Sequence, residues 1–492
     1  MNIGIFATHY LWPSHFETDL ELLQQNLDSK NKVFFYNCNK CIKNCELIWN
    51  LAVEQNVTID QIKNATCFQC QEKQQRGYSL IKGQFVLQSI LFNKQNKKKY
   101  IIADKELESA DTLKKLVIDN NYEIGWSLMS SLISMYRNPF ISPKDHKKEV
   151  STLYQDCCRI YYSTKQYIKE NNLEKIYLFS GRLSYTRAIL SAAKTMNIDY
   201  YVHERGSDFT KYSLFQNHTI HNLEKITERI KEAWEIEKDE DIKNNIGSQF
   251  FKDRENNIIG SWSSFLDNQD KNLLPSNWND KIQNITLFSS SEDEFASVSD
   301  EWSLSLFKSQ LEGIKFISDY ISTSPNTHLY IRVHPNTKNM SDNYKLLLSS
   351  FSGNKSTTLI NYDSSVSSYA LLKKSNKIIT FGSTLGIEAV YWGKPSILLG
   401  KAYYFNLKGV IVPKDHNELI NLLTQTTIDI PIINDALKFG YFMKTFGVKY
   451  EHYTPIDYKS GFYEGINLEE QLGTYKLPLR ERVTNRIKKL IN

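Results

Sequence analysis

Two short segments of this 492-residue chain carry residue types suited to phosphate chemistry: Arg332-Val-His-Pro335 and Phe381-Gly-Ser-Thr-Leu-Gly-Ile-Glu388. Each follows a run rich in β-formers, so both are expected at the carboxyl edge of one sheet, where open α/β folds bind ligands. Pro335 biases His334 towards extended backbone and ends its strand. An imidazole placed there can hydrogen-bond a phosphate or protonate a leaving one, because its unperturbed pKa lies near neutrality. In the second segment Gly382 breaks the strand, and Ser383 and Thr384 read as hydroxyl caps of a helix from Leu385 to Trp392. The free N–H groups of that helix start would face the crevice. Gly386 keeps its first turn free of bulk, and Glu388 suits ribose or sugar hydroxyls. Singly, each segment has a plainer reading, a structural strand-end histidine or a capped surface helix. Together, on neighbouring strand ends, they read as a nucleotide-phosphate site.

The elements that must position these residues follow from periodicity. The second half alternates strand and helix: strands at Asn284 to Ser289, His328 to Val333, Thr357 to Tyr362, Lys377 to Phe381 and Lys394 to Leu399, with a helix from Trp302 to Ile321. In that helix Leu304, Phe307, Leu311, Ile314, Ile317 and Ile321 form one apolar stripe. The first half has the same rhythm, with strands at Asn2 to Thr8, Lys32 to Cys38, Lys175 to Gly181 and Asp199 to His203, and helices at Phe16 to Leu27 and Thr152 to Lys169. Between the halves, Asn222 to Asn257 is dense in Lys, Glu and Asp, and reads as solvated surface helices. The basic stretch Leu479 to Ile491 is expected either to pack back on the first half or to touch a membrane surface.

Length and a hydrophobic content of 41% imply a folded protein of two or three domains. The boundaries expected are 1–215, with a cysteine-rich insertion at 38–70, then a charged connector 216–280, a second α/β domain 281–440 and a closing segment 441–492. A formal charge of +5 is too weak to indicate nucleic acid, although it suits a protein that visits anionic lipid. The start of the chain reads as a buried strand rather than a signal peptide, so a cytoplasmic location is expected. Five of the seven cysteines fall at Cys38, Cys41, Cys45, Cys67 and Cys70. In such a location disulfides are unfavourable, and tetrahedral Zn²⁺ is the leading reading, with an iron–sulfur cluster or free thiols as alternatives. Cys157 and Cys158 read as core residues.

Phe288-Ser-Ser-Ser-Glu-Asp-Glu294, Arg332-Val-His-Pro335 and Gly382-Ser-Thr-Leu-Gly-Ile-Glu-Ala389 resemble signature segments of the capsule polysaccharide biosynthesis family of bacterial glycosyltransferases. His15-Phe-Glu-Thr-Asp-Leu-Glu21, Ser180-Gly-Arg182 with Arg187-Ala188, and His203-Glu-Arg-Gly206 resemble that family too. The resemblance implies a GT-B fold, two Rossmann-like domains facing a cleft. It also implies transfer of a sugar from a nucleotide donor to a capsule or lipopolysaccharide glycan or glycolipid, on the inner face of the cytoplasmic membrane. On this reading Ser290, Ser291, Glu292, Arg332, His334, Ser383, Thr384, Gly386 and Glu388 hold the donor. The His-Pro and Ser-Thr pair is similar to sialyl- and Kdo-transferases, whose donors are CMP-activated, with UDP-sugars as the other option. A cysteine set in some members is similar to Cys38, Cys45, Cys67 and Cys70, which leaves Cys41 as the alternative ligand.

No Asp-x-Asp follows an apolar strand, so the leaving phosphate is expected to be neutralised by N–H groups, His334 and Arg332 without a catalytic metal. The acceptor base is sought in the first half: Glu17 and Asp19 lead, with His15 and Glu204 as further candidates. Arg182, His203 and Arg205 end strands and can grip acceptor or donor anions. Two other functions fit the same elements, a CDP-polyol phosphotransferase of teichoic-acid type and a non-catalytic scaffold of a capsule assembly complex.

Overall fold

The structure is a computed structural model that describes residues 1–55, 57–92, 95, 97–258, 265–429, 432–470 and 472. The basic stretch from Leu479 to Ile491 lies outside the described residues. Two parallel sheets carry the chain. In the first, β1 (Asn2–Ala7), β2 (Lys32–Asn37), β3 (Val86–Ser89), β4 (Lys175–Phe179) and β5 (Asp199–Arg205) run parallel, and β6 (Lys211–Gln216) returns antiparallel to β5. The second holds β7 (Gln283–Phe288), β8 (Thr327–Arg332), β9 (Thr357–Ile360), β10 (Lys377–Thr380) and β11 (Ser396–Leu398), all parallel. Ile3, Ile5, Phe6, Ile285, Leu287, Ile378 and Ile379 have no exposed surface, as expected for strands covered on both faces.

Helices cover these sheets: α1 (His15–Asp28), α2 (Glu46–Glu54), α3 (Ile59–Ser79), α4 (Ile124–Tyr136), α5 (Lys147–Glu170), α6 (Ser184–Thr195), α7 (Leu223–Ile236), α8 (Glu240–Glu255), α9 (Gln310–Ser322), α10 (Leu385–Tyr391) and α11 (Ile433–Thr445). The first sheet is ordered β6-β5-β4-β1-β2-β3 and the second β11-β10-β7-β8-β9. Each therefore grows one way from its first strand and then reverses to that strand's other side. The reversal leaves a crevice between the carboxyl ends of β1 and β4, and another between those of β7 and β10.

Two expectations change. The apolar stripe from Leu304 enters its helix only at Gln310, because the Ser309 hydroxyl accepts the Glu312 N–H and caps it. Upstream, the Trp302 indole donates to the His221 carbonyl at 2.8 Å, so Leu304 and Phe307 reach the core from irregular chain. The charged middle is not a purely solvated layer. Ile226, Ile230, Phe250 and Phe251 are core residues, and α8 crosses α11 so closely that a Cβ on Gly440 would lie 2.3 Å from the Gly247 carbonyl oxygen.

After α11 the chain returns to the first half. β12 (Val448–Lys449) pairs antiparallel with β6. Glu21, fully buried on α1, accepts the N–H groups of Glu451 at 2.7 Å, His452 at 2.9 Å and Tyr453 at 3.2 Å. These charge-assisted bonds pin the returning segment, which continues into the hairpin of β13 (Tyr453–Pro455) and β14 (Gly461–Tyr463). Among the described residues no helix is long and apolar enough to cross a membrane.

Candidate functional site

The crevice of the second sheet is lined by the residues that follow β7, β8 and β10. Ser290 has 8% of its surface exposed, and its hydroxyl has no hydrogen-bond partner. A Cβ on Gly382 would stand 3.6 Å from that hydroxyl, so the glycine and the serine meet across the crevice. A buried bracket fixes the loop after β7. The Gln310 side chain accepts the Ser290 N–H at 2.7 Å, donates to the Ser290 carbonyl at 3.1 Å and donates to the Tyr344 hydroxyl at 2.9 Å. Glu292 closes the bracket, accepting the Gln310 N–H at 2.7 Å and the Tyr344 hydroxyl at 2.9 Å. Expected on the donor, Glu292 is thus committed to scaffold, and burial pushes its carboxyl up to about 7. Ser291 donates to Asp293, which pairs with Arg137 of the first half at 3.1 Å.

His334 sits at the end of β8, its N–H donated to the Ser289 hydroxyl at 2.9 Å. Its Nδ1 accepts the Asn336 N–H at 3.2 Å, which leaves the proton of the neutral ring on Nε2. The imidazole is half-buried, with the Phe265 ring edge-on at 5.2 Å, and desolvation lowers its pKa to about 4, partly opposed by Asp293. At neutral pH, His334 is therefore an uncharged Nε2–H donor.

The other nominated donor residues divide. Arg332 is 4% exposed, and its guanidinium donates to the carbonyls of Asn361 at 2.8 Å and Ser364 at 3.0 Å while its Nε has no partner. Ser383 accepts the Leu385 N–H at 3.3 Å as a loose cap. Thr384 makes no cap bond; its hydroxyl accepts from Arg254 at 2.9 Å. Gly386 is required by packing, since a Cβ there would lie 2.4 Å from the Tyr404 hydroxyl. Glu388, expected on ribose or sugar hydroxyls of the donor, is fully buried between Arg254 at 2.8 Å and the Tyr369 hydroxyl.

In the first half, Glu17 is paired with Lys73 of α3 at 2.7 Å, and that lysine, itself without exposed surface, also meets Glu469 at 2.8 Å. Asp19 is buried against His203 Nε2 at 2.8 Å, and burial raises its pKa while His203 pulls the other way. His15 lies on the Phe179 ring, and burial lowers its pKa. Arg182 reaches across to the second half, donating to the Ser297 hydroxyl at 2.6 Å and to Ser134 at 3.2 Å. Arg205 lies over the Tyr458 ring of the returning segment at 5.6 Å. Glu204 keeps part of its surface open at the end of β5, and burial raises its carboxyl pKa, offset in part by Ser180, His203 and Arg182.

The five clustered cysteines are free thiols, spread over the loop after β2, the start of α2 and the body of α3. Cys38 and Cys41 are hydrogen-bonded to each other, and burial, with Cys45, Cys38 and Cys67 nearby, raises the pKa of the Cys70 thiol. Among the described residues no three of these sulfurs come within 4.8 Å of one another, so they are gathered but not closed into a ligand shell. The trio that meets that spacing is Glu21, Glu451 and His452, whose Glu21 carboxylate is already filled by backbone N–H groups.

Sequence reasoning missed Gln310, Arg137 and Arg254. A basic residue in the last turn of α8 reads as complementing the helix dipole, and nothing local signals that it reaches β10's end.

Residues 304–453 match the family described as "Capsule polysaccharide biosynthesis protein", so the resemblance carried by the His-Pro and Gly-Ser-Thr segments is borne out over that stretch. No curated protein matches the chain. Among solved structures, it is similar to "Thermosulfurimonas dismutans KpsC, beta Kdo 2,7 transferase" at 11% identity and TM-score 0.36, covering 63% of this chain and 87% of that one. The beta Kdo 2,4 transferase of the same organism's KpsC gives 13% identity and TM-score 0.33, covering 55% and 79%. UDP-GlcNAc 2-epimerase from Neisseria meningitidis gives 14% and 0.26, covering 89% and 98%.

Glu292 yields a pH prediction. A carboxyl whose folded pKa lies above its unfolded value costs stability once it ionises, so this group's penalty is absent below about pH 4.5 and complete above about pH 7. Between pH 5 and pH 8, wild type should lose about 2 kcal/mol more folding stability than Glu292→Gln, as read by urea denaturation. Parallel pH profiles would contradict the assignment.

Proposed function

We propose, from the match of residues 304–453 to the capsule polysaccharide biosynthesis family, that this chain is a glycosyltransferase that moves a sugar from a nucleotide donor to a capsule glycan. The observation that carries the reading is the second sheet's crevice. There an uncharged His334 N–H, an unpartnered Ser290 hydroxyl and the Gly382–Thr384 turn converge on the edge where α/β folds bind nucleotides. A CMP-sugar is the favoured donor, on the similarity of the His-Pro and Ser-Thr pair to CMP-dependent transferases. Donor phosphate is held without a divalent cation, by hydrogen-bond donors preset along the crevice. A nucleotide panel of CMP, CDP, UDP and GDP should raise the melting temperature with at least one member, and His334→Ala should abolish most of that shift. Because His334 is neutral across this range, the part of the shift lost in His334→Ala should be the same at pH 7 and pH 8, above the second ionisation of the nucleotide phosphate. No response to any nucleotide would favour a scaffold.

On the acceptor side, Glu17 and Asp19 are engaged by Lys73 and His203, which leaves Glu204 as the carboxylate with both access and a raised proton affinity. We assign it the role of base that takes the acceptor hydroxyl proton as the new glycosidic bond forms. Glu204→Gln should lower turnover about 100-fold or more while nucleotide affinity is kept. A variant with wild-type turnover would return the role to Asp19.

The cysteine cluster is proposed as a structural zinc site of Cys38, Cys45, Cys67 and Cys70, with Cys41 able to replace one ligand. Its support is the gathering of five thiols on α2, α3 and the loop before them. Elemental analysis of purified protein should find about one zinc per chain. Metal-free protein with an unchanged melting temperature would refute it.

A further inference from the structure

A nucleotide brings full negative charge into a crevice whose nominated ligands include one cation, and that cation is turned inward. His334 is neutral, and Arg332, 4% exposed, donates to two carbonyls. The Lys377 ammonium is bonded to the carbonyls of Leu422 and Leu423, and Lys401 lies over the Phe405 ring at 3.6 Å. We infer that Arg254, carried in by helix α8 and aimed by Glu388, is the cation that binds the donor's phosphate. The inference rests on the nucleotide reading above and names a ligand that reading lacks.

The geometry separates this role from a simple tie between helices. A guanidinium that only joins α8 to α10 would gain most by gripping the Glu388 carboxylate with both arms. Instead Nε donates to Glu388 Oε1 at 2.8 Å and Nη2 to the Thr384 hydroxyl at 2.9 Å, while Tyr369 takes the second carboxylate oxygen. The fork is thereby turned along the Ser383–Thr384 turn. Arg254 keeps 22% of its side-chain surface exposed against none for Glu388, so the arginine is the open member of the pair and the glutamate its buried anchor. A guanidinium has five N–H donors, enough to hold the anchor and still meet a phosphate oxygen.

A second, independent observation points to a ligand at the same place. The Ser290 hydroxyl is more than nine-tenths buried, has no partner and faces Gly382, the residue before Ser383. A buried hydroxyl left unpaired is costly, and a phosphate oxygen between it and the Thr384 turn would satisfy it. The connector also places Phe265 against His334, so the segment between the two halves touches both donor signatures.

The test measures affinities by calorimetry for CMP, UDP and GDP and for cytidine, uridine and guanosine, in wild type, Arg254→Gln and Arg254→Lys. Arg254→Gln should weaken the nucleotide that wild type binds about ten-fold or more, and the parent nucleoside less than about two-fold. Arg254→Lys keeps the charge but not the fork and should fall between the two. Equal loss for nucleotide and nucleoside, with a lowered melting temperature of the free protein, would make Arg254 a structural tie and overturn the inference. So would unchanged nucleotide affinity in Arg254→Gln or, should that variant fail to fold, in Arg254→Lys. If wild type binds none of the three nucleotides, the functional reading itself fails and this inference falls with it.

Discussion

The constraint on which the rest of this molecule depends is the reversal of strand order beside β7. Because β8 and β9 build out on one side and β10 and β11 on the other, the crossovers on either flank leave the carboxyl ends of β7 and β10 uncovered. An uncovered edge is useful only if its loops stay put, and the Gln310–Glu292–Tyr344 bracket does this for the loop after β7. Its hydrogen bonds are buried and complete, which fixes Ser290 while leaving its hydroxyl unsatisfied.

Much of this was legible in the sequence. Parallel strands buried on both faces read as short apolar runs, and the nine expected strands correspond to β1, β2, β4, β5 and β7 to β11 with end shifts of a few residues at most. The strand-end positions of His334 and Ser383 followed from Pro335 and Gly382, since both residues end β-structure for covalent reasons. The start of α9 was not legible, because an apolar stripe continues whether its residues are helical or merely packed, and only the Ser309 cap separates the two.

The roles of the charged residues were the least legible part. Glu388, Glu292 and Arg332 all stand next to the crevice in sequence, yet the structure commits each of them inward. The choice between facing a ligand and facing the core is made by partners far away along the chain: Arg254 for Glu388, Gln310 and Tyr344 for Glu292, and the carbonyls after β9 for Arg332. Periodicity carries no information about such pairs. The same holds for Glu17 and Asp19, two neighbours on one helix turn whose partners lie on α3 and β5.

The return of the chain through β12 has a consequence for how the protein is made. β6 emerges from the ribosome long before β12, the strand that covers it, and Glu21 emerges before any of the three N–H groups that fill its carboxylate. Until α11 has docked on α8 and β12 has returned, β6 stays an open edge strand and the Glu21 carboxylate is left to water. A nascent chain stalled after the second sheet would therefore present to chaperones an edge that β12 covers in the folded protein.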